Sequence, residues 1–378
     1  MIDASFEGAQ VLRPSGLELG AVHVAGGRLV EARQERRVIL PPGSLILPGI
    51  IDIHGDGFER HLAPRRGAMR DLGAGLLATE AELAANGITT AMLAQFWSWE
   101  GGMRSPEFCR AFLASLRQFR GMGTDMRAQL RVEIGLVEQD ADRLLELVRA
   151  YDISQVVLND HLPHDALAKG RRPPRLTGQA LKSGRSPEAH LALIQELAAR
   201  RANWPDALAA FAQELRASGV VVGSHDDRTF DDRASARSYG AALSEFPCTA
   251  VAAEAAFSAG EPVIMGAPNV VRGGSHDGNA SATQFARMGW VSALASDYHY
   301  PAPRLAALAL KSELGLQKAW GLISEGPARI LGLSDRGQIA PGLRADLLIT
   351  DAEFRPGLTM AGGEITYAAG PIAAALLN

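Results

Sequence analysis

Residues 50–61, IIDIHGDGFERH, hold the densest chemistry in the chain: His54 and Asp56, separated by one glycine, close an apolar run, and Arg60 and His61 follow. Alternation along a strand places residues i and i+2 on one face, so the imidazole and the carboxylate are expected to project together. Imidazole with carboxylate suits a divalent transition metal, and a catalytic ion keeps a position open for water. Later apolar runs end in similar groups: Glu133, Asp160 with His161, His225 with Asp226 and Asp227, Glu245, Asn269 and Asp297. We expect two ions. His54 and Asp56 would form one half of the centre, Glu133 would bridge, and His161 and His225 would hold the second ion. Asp297 would ligate and accept a proton from water, whose pKa a pair of ions lowers. Asp160 and Glu245 are alternative ligands, and Asp226 and Asp227 would orient ligands from behind. Glu133 has a second reading, as the ion-pair partner of Arg131. His276, in a glycine-rich loop, reads as a substrate contact. Nitrogen and oxygen donors fit zinc first, with manganese or iron compatible.

Such groups need a scaffold that gathers strand ends. Eight strand candidates, from GIIDIHGD to WVSALASDY, alternate with helical stretches such as ATEAELAANG and DALAAFAQELRAS. This is the pattern of a (β/α)8 barrel, whose site lies at the carboxyl ends of its strands. No glycine-rich phosphate loop follows the first strand, which disfavours an open doubly wound sheet. Residues 1–47 and 338–378 instead read as short strands with Gly26-Gly27 and Gly362-Gly363 hairpin turns. We therefore expect a small β-sandwich-like domain built from both termini, flanking a barrel over 48–337.

Composition excludes several classes. The 378 residues are 47 % hydrophobic and 21 % charged, with a formal charge of −4, so no global basic field recruits nucleic acid or membrane. Two cysteines, Cys109 and Cys248, point to reduced thiols and a cytoplasmic setting. The amino terminus has no signal-peptide pattern, and no run of about 18 apolar residues suggests a membrane span.

The LPGIIDIH block, the strand-end groups, Asp297 and the closing RGQIAPGLRADLLITD resemble the amidohydrolase superfamily. SHDDRT (224–229), SEFPCTAVAAEAA (244–256), IMGAPNVVRGGSHDGNASA (264–282) and SDY (296–298) resemble one branch of it. These are the diphosphatases that act on α-D-ribose 1-methylphosphonate 5-triphosphate in the carbon–phosphorus lyase pathway. The resemblance spans about 45–350 and implies cleavage between the α and β phosphates, release of pyrophosphate, and association into homo-oligomers. The sequence departs from that pattern in four places. HGDGFERH stands for H-T-D-N-L-E-K-H, and NDHLPH (159–164) for M-D-H-T-P-G. Asp277 replaces a serine, and SDYHYP, with His299, replaces S-D-Y-V-P.

A phosphorylated small molecule requires guanidinium and ammonium donors. Arg272 leads, flanked by Asn269 and His276, with Arg60 and His61 also near the expected site. The run KGRRPPRLTGQALKSGR, 169–185, has six basic and no acidic residues. It reads either as a catalytic-face lid or as a solvated basic loop. The expected reaction is metal-assisted hydrolysis of a phosphoanhydride, with Asp297 as general base and Arg272 neutralising developing charge. The alternatives are hydrolysis of a cyclic amide or amine by a diverged paralogue, and a barrel that has lost catalysis.

Overall fold

A computed structural model describes residues 1–65, 71–273 and 281–377. Five strands precede the barrel: β1 (Ala4–Arg13), β2 (Gly16–Ala25), β3 (Arg28–Val30), β4 (Arg37–Ile39) and β5 (Leu45–Pro48). The barrel strands are β6 (Ile50–Gly55), β7 (Ile88–Trp97), β8 (Asp125–Glu133), β9 (Gln155–Asn159), β10 (Val221–His225), β11 (Leu243–Glu245), β12 (Val263–Gly266) and β13 (Ala293–Ala295). Three more follow: β14 (Leu347–Thr350), β15 (Pro356–Ala361) and β16 (Glu364–Ala368). The fold is a (β/α)8 barrel with a small sheet domain assembled from both ends of the chain.

The small sheet runs β16-β15-β14-β5-β1-β2-β3, with β4 added parallel to β1. Its two halves join where β14 pairs antiparallel with β5, Ile349 opposite Ile46. Phe6, Val11, Val24, Ile46, Leu347, Leu358 and Met360 are buried together and form its core. Each such side chain contributes about 1.5–3 kcal/mol on burial. Gly26-Gly27 and Gly362-Gly363 all have positive φ, as a two-residue hairpin turn with a primed geometry requires.

The second sheet follows chain order, β6 to β13, and its registers are parallel. β6, β7 and β9 are buried along their whole length, which explains their continuous apolar runs. Register sets the strand-end groups side by side: Glu133 stands opposite Asn159, and His225 opposite Glu245. The last strand returns to the first, where Gly55 and Asp297 form a parallel bridge.

By packing, the chain divides into two compact units. One is Met1–Leu93, Phe119–Arg127 and Ile264–Asn378; the other is Ala94–Gln118 and Ala128–Val263. The second is braced by Arg233, which is fully buried. Its guanidinium pairs with Asp227 at 3.2 Å and Glu261 at 3.0 Å, and donates to the carbonyls of Leu243 and Ala241. Asp227 also accepts from Ser224 (2.6 Å) and Ser244 (3.0 Å), so the ends of β10 and β11 are tied to one carboxylate.

The basic run 169–185 is not a structureless loop. It contains the helix Leu176–Ser183, closed by Gly184 in the left-handed conformation. The two prolines sit before that helix, where they do not interrupt it.

Removing one partner of a buried ion pair strands the other charge, at a cost of about 3–5 kcal/mol. Arg233→Ala is expected to lower the free energy of unfolding by about that amount, measured by urea denaturation.

Candidate metal centre

Two groups of donors stand out, one in each unit. In the first unit His54, Asp56 and Asp297 each offer a ligand atom within 4.8 Å of the others, His54 buried and both aspartates half-buried. Simple alternation does not produce this arrangement. Pairing of β6 with β7 slips between Asp52 (opposite Ala91) and Gly55 (opposite Leu93), a bulge at Ile53–His54. Bulges near strand ends re-aim side chains, here the imidazole of His54. Asp56 lies beyond the strand, where its N–H donates to the Asp297 carbonyl at 2.9 Å. The Asp297 N–H in turn donates to the His54 carbonyl at 3.0 Å. Asp297 is held at φ +57°, a left-handed backbone that costs a non-glycine residue energy and persists only when surrounding contacts enforce it.

Beneath this group Asp52, fully buried, accepts the Ser296 N–H at 2.8 Å and the Ser296 hydroxyl at 2.5 Å. Burial pushes the Asp52 carboxyl above its usual range, against the two Ser296 hydrogen bonds. Burial likewise pushes the Tyr300 phenol well up, with Asp52 adding to it. A Cβ on Gly55 would come within 2.5 Å of Asp52 Oδ2 and 2.9 Å of Ser296 Oγ and Tyr300, so the HGD motif needs its glycine.

In the second unit Glu100, Glu133 and His161 form a comparable group. Glu133 Oε1 meets His161 Nδ1, while Oε2 accepts from the Trp99 indole N–H at 3.0 Å and the His161 backbone N–H at 3.1 Å. Glu100 pairs with Arg104 at 2.7 Å and lies 3.9 Å from His161. Burial disfavours the His161 cation, but Glu133 and Glu100 outweigh it and raise its pKa. Burial also opposes ionisation of Glu100, which Arg104 and His161 reverse, holding its carboxyl low.

His225 stands beside this group with both ring nitrogens engaged: Nδ1 on Glu245 (2.8 Å) and Nε2 on the Arg131 guanidinium (2.8 Å). Burial, then Arg131, lowers its pKa. Arg131 also donates to Asn159 Oδ1 at 2.8 Å and stacks 4.1 Å from the centre of the Phe96 ring. Gln129 donates to the other oxygen of Glu245 at 2.8 Å.

The remaining expected residues separate. Asp160 pairs with His164 at 2.7 Å, Asp226 is exposed 3.6 Å from His225, and Asp227 serves Arg233. Arg60 and His61 are both engaged by Glu82, His61 at 2.6 Å, and Arg60 also donates to the Tyr298 carbonyl at 2.9 Å. Arg272 is exposed and reaches the Tyr298 hydroxyl, next to Asp297. Asn269 accepts from the Ala282 N–H at 3.1 Å. His276 and Asp277 lie outside the described residues. Sequence reasoning missed Glu100 and Trp99. Their signal is the WSWE segment, which starts at the last residue of β7 and sets Trp99 and Glu100 two and three residues past the strand end.

Each group supplies one imidazole and two carboxylates, a donor set that fits zinc, manganese or iron. Three protein ligands leave room for water, the arrangement of a catalytic ion. At His225 the fit is poorer, because Arg131 occupies the Nε2 lone pair that an ion would use.

The alpha-D-ribose 1-methylphosphonate 5-triphosphate diphosphatase of Escherichia coli (strain K12) is 33 % identical to this chain over 346 residues, spanning 87 % of this chain and 90 % of that protein. Two solved structures share the fold. An N-acetylglucosamine-6-phosphate deacetylase from Pasteurella multocida has a TM-score of 0.63 at 13 % identity, covering 97 % of this chain and 100 % of its own. An atrazine chlorohydrolase from Arthrobacter aurescens, complexed with zinc, has a TM-score of 0.63 at 15 % identity, covering 99 % of each chain. No family profile matches the sequence.

Deleting the Ser296 hydroxyl leaves Asp52 Oδ2 buried without that donor, which costs about 1–3 kcal/mol. Ser296→Ala is expected to lower the denaturation midpoint accordingly, and Asp297→Asn, which keeps the backbone seam, to lower it less.

Proposed function

The chain belongs to the family of the α-D-ribose 1-methylphosphonate 5-triphosphate diphosphatases, within the amidohydrolase superfamily, and from that premise we propose that it hydrolyses the 5-triphosphate of this substrate to the 5-phosphate and pyrophosphate. The convergence of His54, Asp56 and Asp297 carries the reading, because it supplies a cation site and a general base at one strand end. In this proposal those three residues would hold one divalent ion. Glu133 and His161 would hold another, and His225 would join them only if its Nε2 exchanged the Arg131 guanidinium for the ion. Such ions polarise the phosphoryl oxygens and lower the pKa of water.

The chain's own groups do the rest. Asp297 accepts the proton of the attacking water, whose oxygen bonds to one phosphorus as the bridging oxygen departs with the other. The seam fixes the Asp297 backbone, so its carboxylate needs little reorganisation when the proton moves. Arg272, steadied by the Tyr298 hydroxyl, meets the charge that develops on the phosphates, since guanidinium donors bind phosphate oxygens strongly. Pyrophosphate is a good leaving group near neutral pH, so no strong general acid is required. Arg60 and His61, tied to Glu82, would support the loop after His54 rather than grip phosphate. We place the enzyme in phosphonate breakdown, acting on a phosphorylated small molecule, with zinc as the first candidate ion.

The test is pyrophosphate release from ribose 1-methylphosphonate 5-triphosphate by zinc- or manganese-loaded protein, with ATP and a hydantoin as controls. Rapid release from the phosphonate substrate, reduced at least about 100-fold in Asp297→Asn, is the expected result. For Arg272→Ala, a rise in KM with the triphosphate is expected. Hydrolysis of the hydantoin without either phosphate would show that the sequence departures have redirected the site to amide chemistry.

A further inference from the structure

We infer that Trp99 is a positioning residue, whose indole N–H, itself anchored through Arg185, sets the carboxylate of Glu133 for a cation. This rests on the reading of Glu133 as a ligand given above.

Trp99 lies two residues beyond β7 and is 3 % exposed, while Glu133 at the end of β8 is 1 % exposed. A glutamate side chain at a strand end can turn its two oxygens several ways. Here two donors, the Trp99 indole N–H and the His161 backbone N–H, converge on Oε2 alone. That fixes the rotation of the carboxylate and leaves Oε1 turned to the His161 ring. Outer hydrogen bonds of this kind orient ligating carboxylates, and losing one typically costs about 10–100-fold in metal affinity or activity.

Trp99 is itself gripped. Arg185 Nη1 donates to its carbonyl at 2.7 Å, and its ring packs at 5.6 Å on the buried His190 ring. The following glycines let the helix Leu176–Ser183 press on the same loop. A Cβ on Gly101 (φ +79°) would come within 2.6 Å of Ser183 Cβ, and one on Gly102 (φ +58°) within 2.9 Å of the Lys182 carbonyl. The basic run therefore clamps the loop that carries Trp99 and Glu100. Trp97 provides a matched contrast: it is fully buried and donates to Asp140 at 2.9 Å, but Asp140 belongs to neither donor group.

The experiment is a Co²⁺ titration of metal-stripped protein, followed by visible absorption, for wild type, Trp99→Phe, Arg185→Met, Trp97→Phe, Glu133→Gln and the Trp99→Phe/Glu133→Gln double variant. We expect Trp99→Phe to weaken one Co²⁺ binding phase about 10–100-fold. Arg185→Met should weaken the same phase less, and Trp97→Phe should leave it unchanged. In the Glu133→Gln background Trp99→Phe should add nothing, because its effect passes through that carboxylate. Unfolding midpoints accompany each variant, and Arg185→Met carries the test if Trp99→Phe does not fold. Wild-type affinity in both Trp99→Phe and Arg185→Met, with Glu133→Gln weakened, would overturn this inference alone. Wild-type affinity in Glu133→Gln would overturn both it and the assignment of Glu133.

Discussion

The backbone seam between the last barrel strand and the first is the constraint on which the proposed chemistry depends. Asp297 gives its N–H to His54 and takes the N–H of Asp56. Those two bonds bring β13 back to β6 and, in the same few atoms, place one imidazole beside two carboxylates. The left-handed φ of Asp297 is the strained element in this arrangement. It is held from below by Asp52, which takes both donors of Ser296, the residue just before it. Closure of the sheet and assembly of the donor group are thus one event, and a change that loosened the seam would scatter the ligands.

A similar economy recurs in the second unit. Asp226 and Phe246 adopt positive φ directly after the ends of β10 and β11, as Asp297 does two residues past β13. The chain turns sharply there, and the Asp226 N–H donates back to the Glu245 carbonyl at 3.0 Å. His225 and Glu245 remain paired at the strand ends, and Asp227 reaches inward to Arg233. Adjacent aspartates therefore do different work: Asp226 stays in solvent, whereas Asp227 anchors the strands. Around Glu133 the carboxylate is held by donors from two segments, the loop of Trp99 and the turn at His161, while Arg131 bridges Asn159 and His225. Preorganised groups of this kind favour catalysis because they need not reorganise as charge moves.

Much of this was legible in the sequence. Apolar runs with polar closures located all eight barrel strands, since parallel strands are buried on both faces. Double glycines marked the two hairpins because only residues tolerant of positive φ fit those turns. The placement of Asp297 beside His54 and Asp56 was readable from its position at a strand end, but the bulge at His54 was not, because strand slippage depends on the pairing partner. Arg60 and His61 looked available for phosphate, yet Glu82 on the helix Leu72–Ala85 engages both, a contact visible only once that helix packs. The prolines and basic residues of 169–185 give a loop signature that masks the eight-residue helix Leu176–Ser183. Trp99 carries no signal in its residue type, because what it offers Glu133 is one N–H rather than its bulk.

The most direct test of the central claim is anomalous diffraction at the zinc edge from crystals of zinc-loaded protein. The account predicts one peak bounded by His54, Asp56 and Asp297 and another against Glu133 and His161. Ordered zinc elsewhere, with these groups keeping only their mutual hydrogen bonds, would contradict it.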